Sequence, residues 1–138
     1  MTRAGTRLAP ATPEAARSRR SQARTFLDVA EPVLDEPATR SQTHVAAALA
    51  VLAAIADADA ICGLRLGHHS RGQDHRQAVD LLATVDLPDR SLPAKLGRIL
   101  AAKDNDNAHY SPRLVSASDA RTLVIGARTL VEASEWLG

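Results

Sequence analysis

The chain has 138 residues, a formal charge of +1 and 45% apolar residues, but only 2% aromatic ones. That length fits one domain with a core large enough to need no staples, and the near-neutral balance excludes a polyanion binder driven by overall charge. A core of Ala, Leu, Val and Ile with so few rings favours close helix packing over a thick sheet sandwich.

Residues 1–12 mix Gly, Pro and Thr with arginines and read as a flexible N-terminal tail ahead of a helical domain over 13–138. The arginines there have no hydrophobic signal-peptide core beside them. Thr12-Pro13 predicts a helix start, and Pro32 predicts its stop, with Phe26, Leu27 and Ala30 as the apolar edge. The second helix, THVAAALAVLAAIADADAIC, is predicted to be capped by Ser41 or Thr43 and to end at Gly63. Val45 to Ala56 is entirely apolar, but Asp57 and Asp59 follow at once, so it reads as a buried helix and not a membrane span. Cys62 is the single cysteine, which leaves no intramolecular disulfide and suits a reducing cytoplasm, the expected location.

GLRLGHHSRGQ, with three glycines in eleven residues, reads as a loop. Asp74 and Gln77 have capping-box spacing and open a third helix whose core face is Val79, Leu81, Leu82 and Val85. After the LPDRSLP turn, Ser91 and Pro93 begin a fourth helix that runs through Leu96, Ile99 and Leu100 to about Lys103, and KDNDNAHYSPR follows as a loop or as a helix end fraying into one. Ser116 and Asp119 announce the last helix, in which Leu123, Val124, Ala127, Leu130, Val131 and Leu137 recur at helical intervals. No segment alternates with strand periodicity. The expected fold is all-α, an up-and-down bundle of four to five helices.

KDNDNAHYSP, residues 103–112, places a cation, four acidic or amide side chains, a histidine and a tyrosine between apolar segments. Lys103 and His109 are the first candidates: a histidine exchanges protons near neutral pH, and a cation steadies a charged phosphorane. The plain alternative is a helix C-terminus where Lys answers the dipole and Asp and Asn cap turns. A calcium loop starting at Asp104 fails, because His109 stands where glycine belongs and Val115 where the bidentate Glu belongs. Cys62, His68, His69 and His75 cluster in sequence, but with one thiol and no knuckle spacing no metal is expected.

Asp57 and Asp59 sit near the C-terminal end of the apolar helix, where the dipole disfavours acids. Asp57 reads as pointing to solvent; Asp59 either does the same or faces a site or a partner cation. Arg17, Arg20 and Arg24 share a helix face by spacing, either as a stripe that tracks a phosphate backbone or as a solvated face.

Over about residues 15–136 these segments resemble, in order and texture, the HEPN superfamily of small α-helical domains. The resemblance is carried by AAALAVLAAIADADAICG leading to a glycine loop, then GQDHRQAVDLL, LGRILAAKDNDNAHY and SASDARTLVIGARTLVEA. Many HEPN domains carry an R-x4–6-H motif with a polar residue after the arginine. The matching positions are Lys103 and His109, with Asp104 after the cation and Tyr110 beside the histidine; Lys stands where the family has Arg and lacks its two-pronged grip on phosphate.

The resemblance implies a four-helix up-and-down bundle, a homodimer, and RNA as substrate for a metal-independent, cofactor-free endoribonuclease of a defence or toxin–antitoxin type. His109 would remove the 2′-OH proton or protonate the leaving 5′-oxygen, and Lys103 would steady the phosphorane. Asn105 or Asn107 would hold the phosphate, and Asp59 would orient His109 or Lys103. It also implies a nucleotidyltransferase-type antitoxin partner that modifies a tyrosine near the motif, a place Tyr110 fills. The alternative implied is a catalytically inactive relative that binds RNA or a partner protein.

Overall fold

The computed structural model describes residues 8–35, 37–71, 75–109 and 116–135, with the side chains of all of these except 75 and 102–109. Its elements are β1 (Leu8–Pro10), α1 (Pro13–Asp35), α2 (Arg40–Leu66), β2 (His68–Ser70), α3 (His75–Ala83), α4 (Leu92–His109) and α5 (Ala117–Ala133). This is an all-α bundle with one minute sheet.

The strands pair antiparallel, with Leu8 opposite Ser70 and Pro10 opposite His68, and Ala11 N–H donates to the Gly67 carbonyl at 2.9 Å. Residues 8–10 are therefore held by the fold, although they read as part of the tail. Three residues are too few to display a two-residue alternation, so the sequence carried no strand signal. Residues 1–7 lie outside the described residues.

The second helix starts earlier than expected. Thr39 caps it, neither Ser41 nor Thr43: the Thr39 hydroxyl accepts from Gln42 N–H at 3.1 Å, and Thr39 N–H donates to Gln42 Oε1 at 2.9 Å. This reciprocal pair satisfies two of the orphan donors at the helix start. Thr39→Ala should cost about 1 kcal/mol, read as a lower urea midpoint with an unchanged slope. The helix also runs through Gly63 to Leu66, and Gly67, at φ 79°, supplies the left-handed cap.

Pro32 does not stop α1, which continues to Asp35. Proline removes one helix hydrogen bond, but only three residues follow it, and the terminal Leu34 carbonyl accepts from Arg121 Nη2 at 3.0 Å. A second arginine of α5 fastens the same end: Arg128 Nε donates to Glu31 Oε2 at 3.0 Å, and Arg128 Nη2 reaches Glu31 Oε1 and Asp28.

Helix α2 is the axis of the bundle, packed by α1, α3, α4, α5 and β2. Its Ala46, Ala50, Ala53, Ala54, Ala56 and Ala60 are fully buried, and Leu27, Ile61, Leu82, Leu92, Leu96, Leu100, Leu130 and Val131 fill the space between elements. By length and composition α2 could cross a membrane, yet 67% of its most apolar stretch is buried in the bundle. The alanines let backbones approach closely, and Gly63 takes this furthest.

Candidate functional site

Helix α4 does not end at Lys103. It extends to His109, so Lys103, Asp104, Asn105, Asn107 and His109 belong to its last turns, the helix-end alternative for this stretch and not the loop. Ala101, Ala102 and Ala108 favour helix, Asn and Asp merely weaken it, and no breaker intervenes before Pro112. The side chains of these five residues, and Tyr110 altogether, lie outside what is described. The backbone alone separates positions 103 and 109 by about 9 Å of rise and roughly 120° about the helix axis.

Asp59 does find a cation. Arg19 Nη2 donates to its Oδ2 at 3.1 Å, and Arg19 Nη1 donates to Gln22 Oε1 at 2.8 Å. The other oxygen of Asp59 lies 3.8 Å from His69 Nδ1, which sits 2.8 Å from the Ser70 carbonyl. Burial raises the Asp59 carboxyl, with Arg19 and His69 pulling against it. Among the described residues, then, Asp59 is oriented by Arg19 and His69.

Asp57 contradicts the expectation that it points to solvent. It is fully buried, because its turn of α2 faces α5. Ser134 Oγ donates to Asp57 Oδ1 at 2.8 Å, while Oδ2 has no hydrogen-bond partner. Burial pushes its carboxyl up to about 7, against the Ser134 hydrogen bond and the charges of Arg20 and Arg24; the charge of Glu135 adds to the rise.

The arginine stripe is also divided. Arg17 is exposed, but Arg20 is only 8% exposed and near enough to Asp57 for its charge to act on that carboxyl, and Arg24 pairs with Glu135 at 2.9 Å. Arg20 cannot track a phosphate backbone from there. Three- and four-residue spacing puts side chains on one face, but it does not say that the face is wet. Cys62 is buried in α2 and its thiol is pushed up to about 12 by burial and by Asp59, which leaves it an inert core residue.

Two constellations thus emerge: Arg19–Asp59–His69 where α1 meets α2 and β2, and the buried Asp57–Ser134 pair with Arg20 beside it, flanked at the surface by the exposed Arg24–Glu135 pair at the end of α5. Arg19, Ser134 and Glu135 belong to no sequence motif, and His69 enters the sequence reading only with the Cys62, His68 and His75 cluster. The available signal was an antiparallel α1–α2 register that brings adjacent arginines to two acids in an apolar run. Comparison with known proteins finds no family model, no curated protein and no solved structure that matches this chain.

Proposed function

We propose that the chain is a metal-independent endoribonuclease of a defence or toxin–antitoxin type, with Lys103 and His109 as its reacting groups. The observation that supports this is the composition of the far half of α4. Beyond the buried Ile99 and Leu100, its last turns carry Lys103, Asp104, Asn105, Asp106, Asn107 and His109 on a continuous helix. A helix that served packing alone would need no such run of charged, amide and imidazole groups.

In this reading His109 takes the proton from a 2′-OH, the oxygen attacks the adjacent phosphorus, and the 5′-oxygen leaves with a proton. Lys103 offsets the charge that develops on the phosphoryl oxygens. Asn105 and Asn107, between them in the sequence, supply hydrogen-bond donors to the phosphate, and Tyr110 is the acceptor for a modifying partner. The test is cleavage of a mixed RNA pool in EDTA. Wild-type protein should leave 2′,3′-cyclic phosphate ends, His109→Ala should cut at least about 100-fold more slowly, and Lys103→Arg should keep activity. Equal cleavage by wild type and His109→Ala defeats the assignment.

One observation favours the inactive module instead. Arg20 and Arg24 are engaged within the chain, so α1 offers less free charge to a nucleic acid than its sequence promises. RNA retention unaffected by His109→Ala, without cleavage by either protein, would select that reading.

A further inference from the structure

Helix α5 ends on a hydroxyl that stands between two acceptors. Ser134 caps the helix, and its Oγ lies 2.8 Å from Asp57 Oδ1 and 2.8 Å from the Val131 carbonyl oxygen. A serine hydroxyl has one proton to donate, so it serves only one of the two at a time. Oxygens that close with no proton between them repel each other. A second proton is needed, and the carbonyl has none to give. A protonated Asp57 supplies it: the acid donates from Oδ1 to Ser134 Oγ, and the hydroxyl donates onward to Val131. Once the acid ionises, the hydroxyl turns to Asp57 and leaves Val131 facing a lone pair.

Ionisation has a second cost. Asp57 Oδ2 is buried with no hydrogen-bond partner among the described residues, so it would share a negative charge that nothing beside it solvates. The charges acting on Asp57 are Arg20 and Arg24 from α1, which favour ionisation, and Glu135 just beyond α5, which opposes it. Arg24 is already engaged with Glu135, and the buried Arg20 Nε lacks a partner of its own. The two sides of the contact are unequally held. Asp57 belongs to α2, on which every other helix packs, whereas Ser134 sits at a helix end, where local opening costs least. The Arg24–Glu135 pair that flanks it is about half exposed and holds weakly.

We infer that Asp57 and Ser134 form a proton-operated latch on the C-terminal end of α5: the protonated acid holds the last turn against α2, and loss of that proton to solvent releases the turn and lets water reach the carboxylate. The closed latch binds its proton more tightly than the open one, so it is shut in acid and opens as pH rises through about 7. Release happens in a chain whose other helices stay folded. The latch uses neither Lys103 nor His109 and stands apart from the ribonuclease reading.

The experiment is an NMR titration of the full chain, labelled with 13C and 15N, from about pH 5 to about pH 8.5. It reads the Asp57 side-chain carboxyl and the Cα shifts of residues 131–134. In wild type the carboxyl and the helix end should share one midpoint near 7. Above it, residues 131–134 should lose most of their helical shift, while residues 96–100 of α4 should keep theirs. Asp57→Asn offers both a donor and an acceptor but cannot ionise, and should hold 131–134 helical throughout. Ser134→Ala should leave the carboxyl titrating while the helix end no longer follows pH. Should Asp57→Asn misfold, the wild-type midpoints decide, because separate midpoints for carboxyl and helix end overturn the inference. A wild-type helix end that ignores pH overturns it too, as does one that still follows pH in Asp57→Asn or in Ser134→Ala.

Discussion

Gly63→Leu is expected to lower stability by at least about 3 kcal/mol, and to do so by prising α1 away from α2. A Cβ at this position would come within 2.9 Å of the Ala16 Cβ and 3.1 Å of the Ala11 Cβ. Methyl groups cannot rotate out of the way, because they are fixed to their own backbones. The helices must separate, and the cost of such overpacking is typically about 1–3 kcal/mol before the remaining leucine carbons are placed. Gly63→Ala should cost less, near 1 kcal/mol, since alanine recovers up to about 1 kcal/mol of helix propensity. Gly97 is the control: its nearest contact for a new Cβ is Val79 Cγ2 at 3.8 Å, an ordinary distance, so Gly97→Ala should be neutral or stabilising. Urea denaturation of the three variants checks the order. Equal midpoints for Gly63→Leu and wild type would show that α1 does not lean on Gly63.

The second large effect is a fall in stability as pH rises from about 4 to 7. Asp57 has an ordinary value of 3.8 that burial raises to about 7 in the folded chain. Between those values the folded state binds a proton that the unfolded state has lost. Unfolding therefore releases a proton, and each pH unit costs up to about 1.4 kcal/mol of stability. The contribution is fully present below 3.8 and is lost as pH passes through 7, at most about 4 kcal/mol in all. Asp57→Asn keeps an acceptor for the Ser134 hydroxyl and matches the protonated form in shape and charge. It should melt like wild type at pH 4, exceed it by about 1–3 kcal/mol at pH 8, and show a flattened profile between. A wild-type profile as steep in Asp57→Asn as in the parent would move the effect to another group.

Much of the fold was legible because it follows from periodicity. The apolar rows of α2 and α5, the Ser116 cap and the absence of aromatic bulk all led to a helical bundle, and the structure has one. The boundaries misled wherever a residue's local preference was opposed by its surroundings. Pro32 and Gly63 look like helix ends, but α5 answers the end of α1, and Gly63 is small because α1 passes over it rather than because α2 stops. Asp57 looked solvated because nothing local reveals that Ser134, 77 residues away, supplies its hydrogen bond. Arg20 looked like part of a wet stripe for the same reason. The chemistry proposed for Lys103 and His109 was legible only as residue types at a spacing; helix α4 now gives that spacing a backbone.

The pairing of β1 with β2 has a consequence for how the chain can be cut. Backbone groups of His68–Ser70 find their partners in Leu8–Pro10, and Gly67 is answered by Ala11. A fragment beginning at Pro13 would contain every helix and still leave β2 an open edge, with unpaired amides and carbonyls available to any extended peptide. The folding unit thus reaches back at least to Leu8, and a truncation drawn at the first helix would turn a closed molecule into a sticky one.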